Sequence, residues 1–92
     1  MKSLDEIKKI IDCGDVVTAI SLLDEYVASD GLESKDVAYY LRGNAYRKQS
    51  NWQKALNDYQ RSIDINPQGQ AVQARRALLD ILEFYNKDMY NQ

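Results

Sequence analysis

Residues 36–69 read DVAYYLRGNAYRKQSNWQKALNDYQRSIDINPQG, and this run decides the fold. Small residues stand at Gly43 and Ala55, large ones at Tyr39, Tyr46 and Tyr59, and Pro67 closes the run. At helical spacing the pattern describes two packed helices. The small residues let the backbones approach closely, and the rings are expected to be buried in the gaps beside them. Ser50-Asn51 reads as the tight turn between the two, with Asn51 capping the second helix. Pro67 stops that helix, because the residue before a proline is pushed out of the helical region.

Working outward, the helical period continues in both directions. Leu4, Ile7, Ile10 and Ile11 predict a first helix over Ser3–Cys13, with Ser3 and Glu6 forming a capping box. Gly14 can take the left-handed conformation that closes it, and Asp15 can cap a second helix striped by Val16, Ala19, Ile20, Leu23 and Val27. A polar connection from Ser29 to Lys35, containing Gly31, leads to Ser34 or Asp36 as the restart. Beyond Pro67 a fifth helix begins near Gln70 on the stripe Ala71, Ala74, Leu78, Ile81, Leu82 and Tyr85, and Asn86 onward is expected to fray. Gly14 to Ile20 overlies Ser50 to Leu56 at an offset of 36 residues, the mark of a helical-pair repeat. The expected architecture is all-α: two stacked antiparallel helix pairs and a C-terminal capping helix, five helices in a single domain. Residues 1–35 form a degenerate first unit, 36–69 a well-formed second, 70–86 the cap and 87–92 a tail. Ile7 falls where the second unit has Gly43, which predicts looser packing of the first pair or a changed crossing angle.

Composition narrows the chemistry. The 92 residues include no His, so the commonest general base and transition-metal ligand is missing. A lone Cys13 can form neither an internal disulfide nor a structural zinc site, and beside Asp12 and Asp15 at a helix C-terminus it should be inert. The four glycines are isolated, so no phosphate-binding loop exists. The reading is therefore a protein that is not an enzyme, with no cofactor and no metal. Charges break up the first 17 residues, and no run approaches the roughly 18 apolar residues of a membrane span, so a cytoplasmic location with no membrane partner is expected. The net charge of −2 is segregated: −5 over residues 1–36, +5 over 37–76 and −2 over the remainder. Either these are solvated helix faces, or the basic middle attracts an acidic partner.

The run Tyr39 to Tyr46, followed by Ala55, Tyr59 and Asn66-Pro67, resembles a tetratricopeptide repeat over one whole unit, with Trp52 in the aromatic place at the start of its second helix. Arg42 departs from a usual leucine and Ser62 from a usual alanine. The last helix resembles the cap that covers the apolar end of such arrays, and the ending resembles that of small bacterial members. The resemblance implies a tetratricopeptide-like solenoid that binds a peptide segment or helix of another protein in a concave groove. Carried over by position, the groove residues are Val37, Tyr40, Asn44, Arg47 and Lys48, joined by Arg75 on the last helix and by Lys8 and Ile11 from the first unit. Spacing independently puts Tyr40, Asn44, Arg47 and Lys48 on one helical face. Asn44 would offer a donor and an acceptor to a peptide backbone, and Arg47 and Lys48 would hold a carboxylate. Of the positions where some relatives grip a C-terminal carboxylate, only Arg75 keeps the required type, so no clamp of that kind is expected. Trp52, Tyr59 and Tyr39 are read as core. Two alternatives stay open. One is a homodimer built through the capping helix, whose Leu79, Phe84 and Tyr90 give it more apolar circumference than a lid needs. The weaker one is RNA binding by the basic middle segment.

Overall fold

The computed structural model describes residues 2–30 and 33–90, the last six as backbone. Within them the chain forms five helices and no strand: α1 Leu4–Asp12, α2 Val16–Ala28, α3 Lys35–Lys48, α4 Trp52–Ile65 and α5 Ala71–Tyr90. Helix α3 sits centrally, packed against α1, α2 and α4, and α5 lies on α4.

The helix ends follow from local chemistry. The Ser3 hydroxyl accepts the Glu6 N–H at 3.2 Å while the Glu6 carboxylate accepts the Ser3 N–H at 3.3 Å, completing the capping box. That pairing holds the Glu6 carboxyl below its ordinary range, the backbone bond to Ser3 contributing most. Asp15 caps α2 by accepting the Thr18 N–H. The turns after α1 and α3 share one solution. Gly14 donates to the Ile11 carbonyl at 2.9 Å and Asp15 to Ile10 at 3.2 Å; 36 residues later Ser50 donates to Arg47 at 2.9 Å and Asn51 to Tyr46 at 2.9 Å. This paired closure requires a left-handed residue, supplied by Gly14 at φ +92° and by Ser50 at φ +60°. Asn51 therefore occupies the cap position of α4 without a side-chain cap bond, contrary to expectation. Ser34, also left-handed, precedes α3 without capping it, and Asp36 lies in the first turn. Gly31 lies outside the described residues. Helix α5 runs to Tyr90 rather than ending near Tyr85, because neither glycine nor proline follows Gly69 to stop it.

Two apolar clusters hold the helices together. The first joins α1, α2 and α3 through Ile7, Ile11, Ala19, Leu23, Ala38 and Leu41; the second joins α4 and α5 through Ala55, Tyr59, Ala71 and Leu78. Tyr40 packs against both. Each fully buried Leu contributes about 1.5–3 kcal/mol.

The two repeats fill the same space by opposite means. In the second, Gly43 lies against the Tyr59 ring, so close that a Cβ there would come 2.7 Å from two ring carbons and 3.3 Å from the Ala55 carbonyl. In the first, the corresponding pair is Ile7 and Leu23, 1% and 0% exposed. Volume has moved from one helix to the other, which closes the gap that Ile7 in place of glycine would otherwise force open. Contact between α1 and α2 is less extensive than between α3 and α4, and α1, at 9 residues, is shorter than α3, at 14.

A polar cluster replaces apolar packing on the opposite side of α3. The Arg42 guanidinium donates to both oxygens of Asp58, Nε to Oδ2 at 2.8 Å and Nη2 to Oδ1 at 2.9 Å, and its Nη1 reaches Asp24 at 2.9 Å. Arg61 adds a further bond to Asp58 at 2.8 Å. The Asp58 side chain is 1% exposed. Paired chiefly with Asp58, Arg42 is held even more firmly in its charged form. Arg42 thus links α2, α3 and α4, which accounts for its presence where leucine is usual. The Ser62 hydroxyl donates to the Asp36 carbonyl at 2.7 Å, so the second departure also joins α4 to α3.

Candidate functional site

One turn after another of α3 places Val37, Tyr40, Asn44, Arg47 and Lys48 along its α1-facing side, where two depressions meet. The first, about 430 Å³, is walled by Lys8 and Ile11 of α1, Tyr40, Asn44, Arg47 and Lys48 of α3, and Leu78 and Ile81 of α5. Its neighbour, about 350 Å³, is lined by Leu4 and Asp5 of α1, Asp36 and Val37 of α3, and Asn66 and Gln70 near the α4–α5 turn. Lys8, Tyr40 and Leu41 belong to both.

Tyr59 reaches this surface from behind. With no side chain at Gly43 in its way, its ring crosses under α3 and its hydroxyl donates to Asn44 Oδ1 at 2.6 Å. The rings of Tyr40 and Tyr59 lie tilted at 37°, 6.2 Å between centroids. Burial pushes the Tyr59 hydroxyl pKa up, and the Arg47 charge pulls part of that rise back. Asn44 is thus partly engaged: its oxygen accepts from Tyr59, while that oxygen's second lone pair and the amide N–H groups remain open to a peptide backbone. Aromatic area, an amide donor and two cations are the chemistry this face offers.

The tetratricopeptide repeat pattern matches residues 37–68, the α3–α4 unit. The whole chain superposes on the solution NMR structure of a Bacteroides fragilis protein with a TM-score of 0.85 and 53% identity, covering 100% of this chain and 92% of that one. The chain belongs to the tetratricopeptide repeat family. Comparison with curated proteins finds no match. Tetratricopeptide repeats typically bind other proteins or act as scaffolds, and the family is generally non-catalytic. No helix among the described residues is long and apolar enough to cross a membrane.

Against this repeat frame, four placements differ from the sequence reading. Arg75 lines neither groove depression; it lies in a separate one between α4 and α5 with Gln60, Ile63 and Leu79. The stripe Ala71, Ala74, Leu78 and Leu82 fixes the rotation of α5 against α4, and Arg75 falls on its flank. Trp52 is not core but 38% exposed, lining the first depression. As the first residue of α4 it sits at the end of the α3–α4 pair, where the wall formed with Leu78 and Ile81 covers only part of its ring. Tyr39 is half-buried and outside both clusters, with the Arg42 guanidinium 5.4 Å from its ring centre, and Tyr46 is likewise half-buried, with the Lys54 ammonium 5.4 Å away. Of the three tyrosines expected as filler, Tyr59 alone is fully buried. Sequence reasoning also missed Leu41, Leu78 and Ile81 as groove walls, because an apolar stripe gives no sign of which members border a depression.

Proposed function

We propose that this tetratricopeptide protein binds a polypeptide segment of a partner along the α3 face, in the two adjoining depressions. The observation that carries the reading is the convergence of α1, α3 and α5 on one concavity lined both by apolar surface (Tyr40, Trp52 and Ile81, with Ile11 and Leu78 beneath) and by polar tips (Asn44, Arg47, Lys48). Apolar area provides affinity, while a few placed donors set register on the ligand backbone and side chains. Arg47→Ala with Lys48→Ala is the clean perturbation, since Tyr40 also bridges the two core clusters. Partners captured from lysate by the native protein and released from this variant at unchanged helicity are the expected result. Capture that is indifferent to the double substitution refutes the assignment of the site.

A second reading is self-association through α5, favoured by the exposure of Ile81 (40%) and Phe84 (69%) on that helix. Sedimentation equilibrium tests it. A dimer that Phe84→Glu converts to monomer supports it, and a monomer at all concentrations excludes it.

A further inference from the structure

The α3 face is electrically polar along its length, and we infer that it selects a segment carrying an acidic residue, then an apolar one, then a basic residue. This inference rests on the proposed binding site and adds the chemistry of its occupant. At the end where α1 and α3 finish, Arg47 and Lys48 stand beside Asp12; at the end where they begin, Asp5 and Asp36 line the wall. Lys8, Tyr40 and Leu41 occupy the middle, shared by both depressions. The helix dipoles run the other way, with about half a positive charge at each N-terminus and half a negative one at each C-terminus. Those dipoles are largely offset, because α2 and α4 begin where α1 and α3 finish, so the side chains set the sign: Arg47 and Lys48 against Asp12 at one end, Asp5 and Asp36 at the other.

The separation matters as much as the signs. Asp36 and Lys48 lie on one helix, and at about 1.5 Å per residue they are roughly 18 Å apart along its axis. That exceeds the Debye length of about 8 Å at physiological ionic strength, so the ends do not cancel each other. A strand advancing about 3.3 Å per residue covers the distance in about five residues. An occupant lying extended on this face therefore meets both ends with opposite charges about five positions apart and an apolar side chain between them, over Tyr40 and Leu41. A uniformly acidic segment satisfies the basic end and is repelled at the other.

The test is random peptide display against the full-length protein, followed by affinity measurement on synthetic copies of the enriched peptides. The expected result is enrichment of the acid–apolar–base order, with affinity falling about fivefold on Asp5→Lys, the scale of one exposed ion pair. In that variant, changing the peptide's basic residue to Glu should restore binding. Peptides that need Arg47 and Lys48 but show no charge order, or ignore Asp5→Lys, overturn the polarity and leave the binding site standing. Peptides indifferent to Arg47→Ala with Lys48→Ala, or no enrichment at all, overturn both.

Discussion

Replacing Gly43 by alanine tests the packing on which the second repeat is built. The new Cβ would sit 2.7 Å from Cδ1 and Cε1 of Tyr59 and 3.3 Å from the Ala55 carbonyl oxygen, whereas carbon atoms pack favourably at about 3.5–4.0 Å. Tyr59 is fully buried and its hydroxyl is tethered to Asn44 at 2.6 Å, so the ring has little room to retreat. Overpacking of this kind costs about 1–3 kcal/mol, while exchanging glycine for alanine inside a helix returns about 1 kcal/mol. With ring and backbone both in the way, the cost falls in the upper part of its range and the net loss is about 1–2 kcal/mol. For a chain of this size that lowers Tm by about 4–16 °C. Urea denaturation followed by circular dichroism measures it. The first repeat supplies the control, because its Ile7–Leu23 pair shows a leucine accommodating a bulkier residue opposite. In a Tyr59→Leu background Gly43→Ala should be neutral or stabilising, giving a coupling of about 1 kcal/mol or more in the double-mutant cycle. An additive cycle, or a Gly43→Ala protein as stable as the parent, refutes the packing argument.

Three further outcomes follow from the geometry. Asp58→Ala leaves Arg42, whose side chain is 14% exposed, paired with the half-exposed Asp24 alone and should cost about 2–3 kcal/mol, whereas Arg42→Leu with Asp58→Leu should be near neutral by the same denaturation assay. Ser50→Gly relieves a left-handed residue at φ +60° and should raise stability by about 0.5–1 kcal/mol, read as a higher urea midpoint. Because burial raises the Tyr59 pKa above its ordinary value of 10.0, the folded state holds that proton more tightly than the unfolded chain. The associated stability is complete below pH 10 and is lost as pH climbs through the folded pKa, so urea midpoints between pH 9 and 11 should fall, less steeply in Tyr59→Phe.

What sequence could reveal follows the range of each interaction. The capping box at Ser3, the closure at Gly14 and the stop before Pro67 involve neighbours a few residues apart and are legible in one dimension. So is the face of α3, because Tyr40, Asn44 and Arg47 share it through helical period alone. The pairing of Arg42 with Asp58 joins different helices, and only the oddity of a charge at a usually apolar place hinted at it. Trp52 and Tyr39 were misread because periodicity gives direction and not depth. Arg75 was misplaced because the roll of α5 is set by which of its apolar residues meets α4.

Tyr40 has a bearing on how this short array melts. Longer helical stacks can fray from either extremity, since each unit touches just its neighbours. Here one ring is mortared into both apolar clusters at once, so loosening either half unseats the other. Heating should then produce one sharp transition in which the surface presented to a partner vanishes with the rest of the protein, with no half-molten species left to hold on.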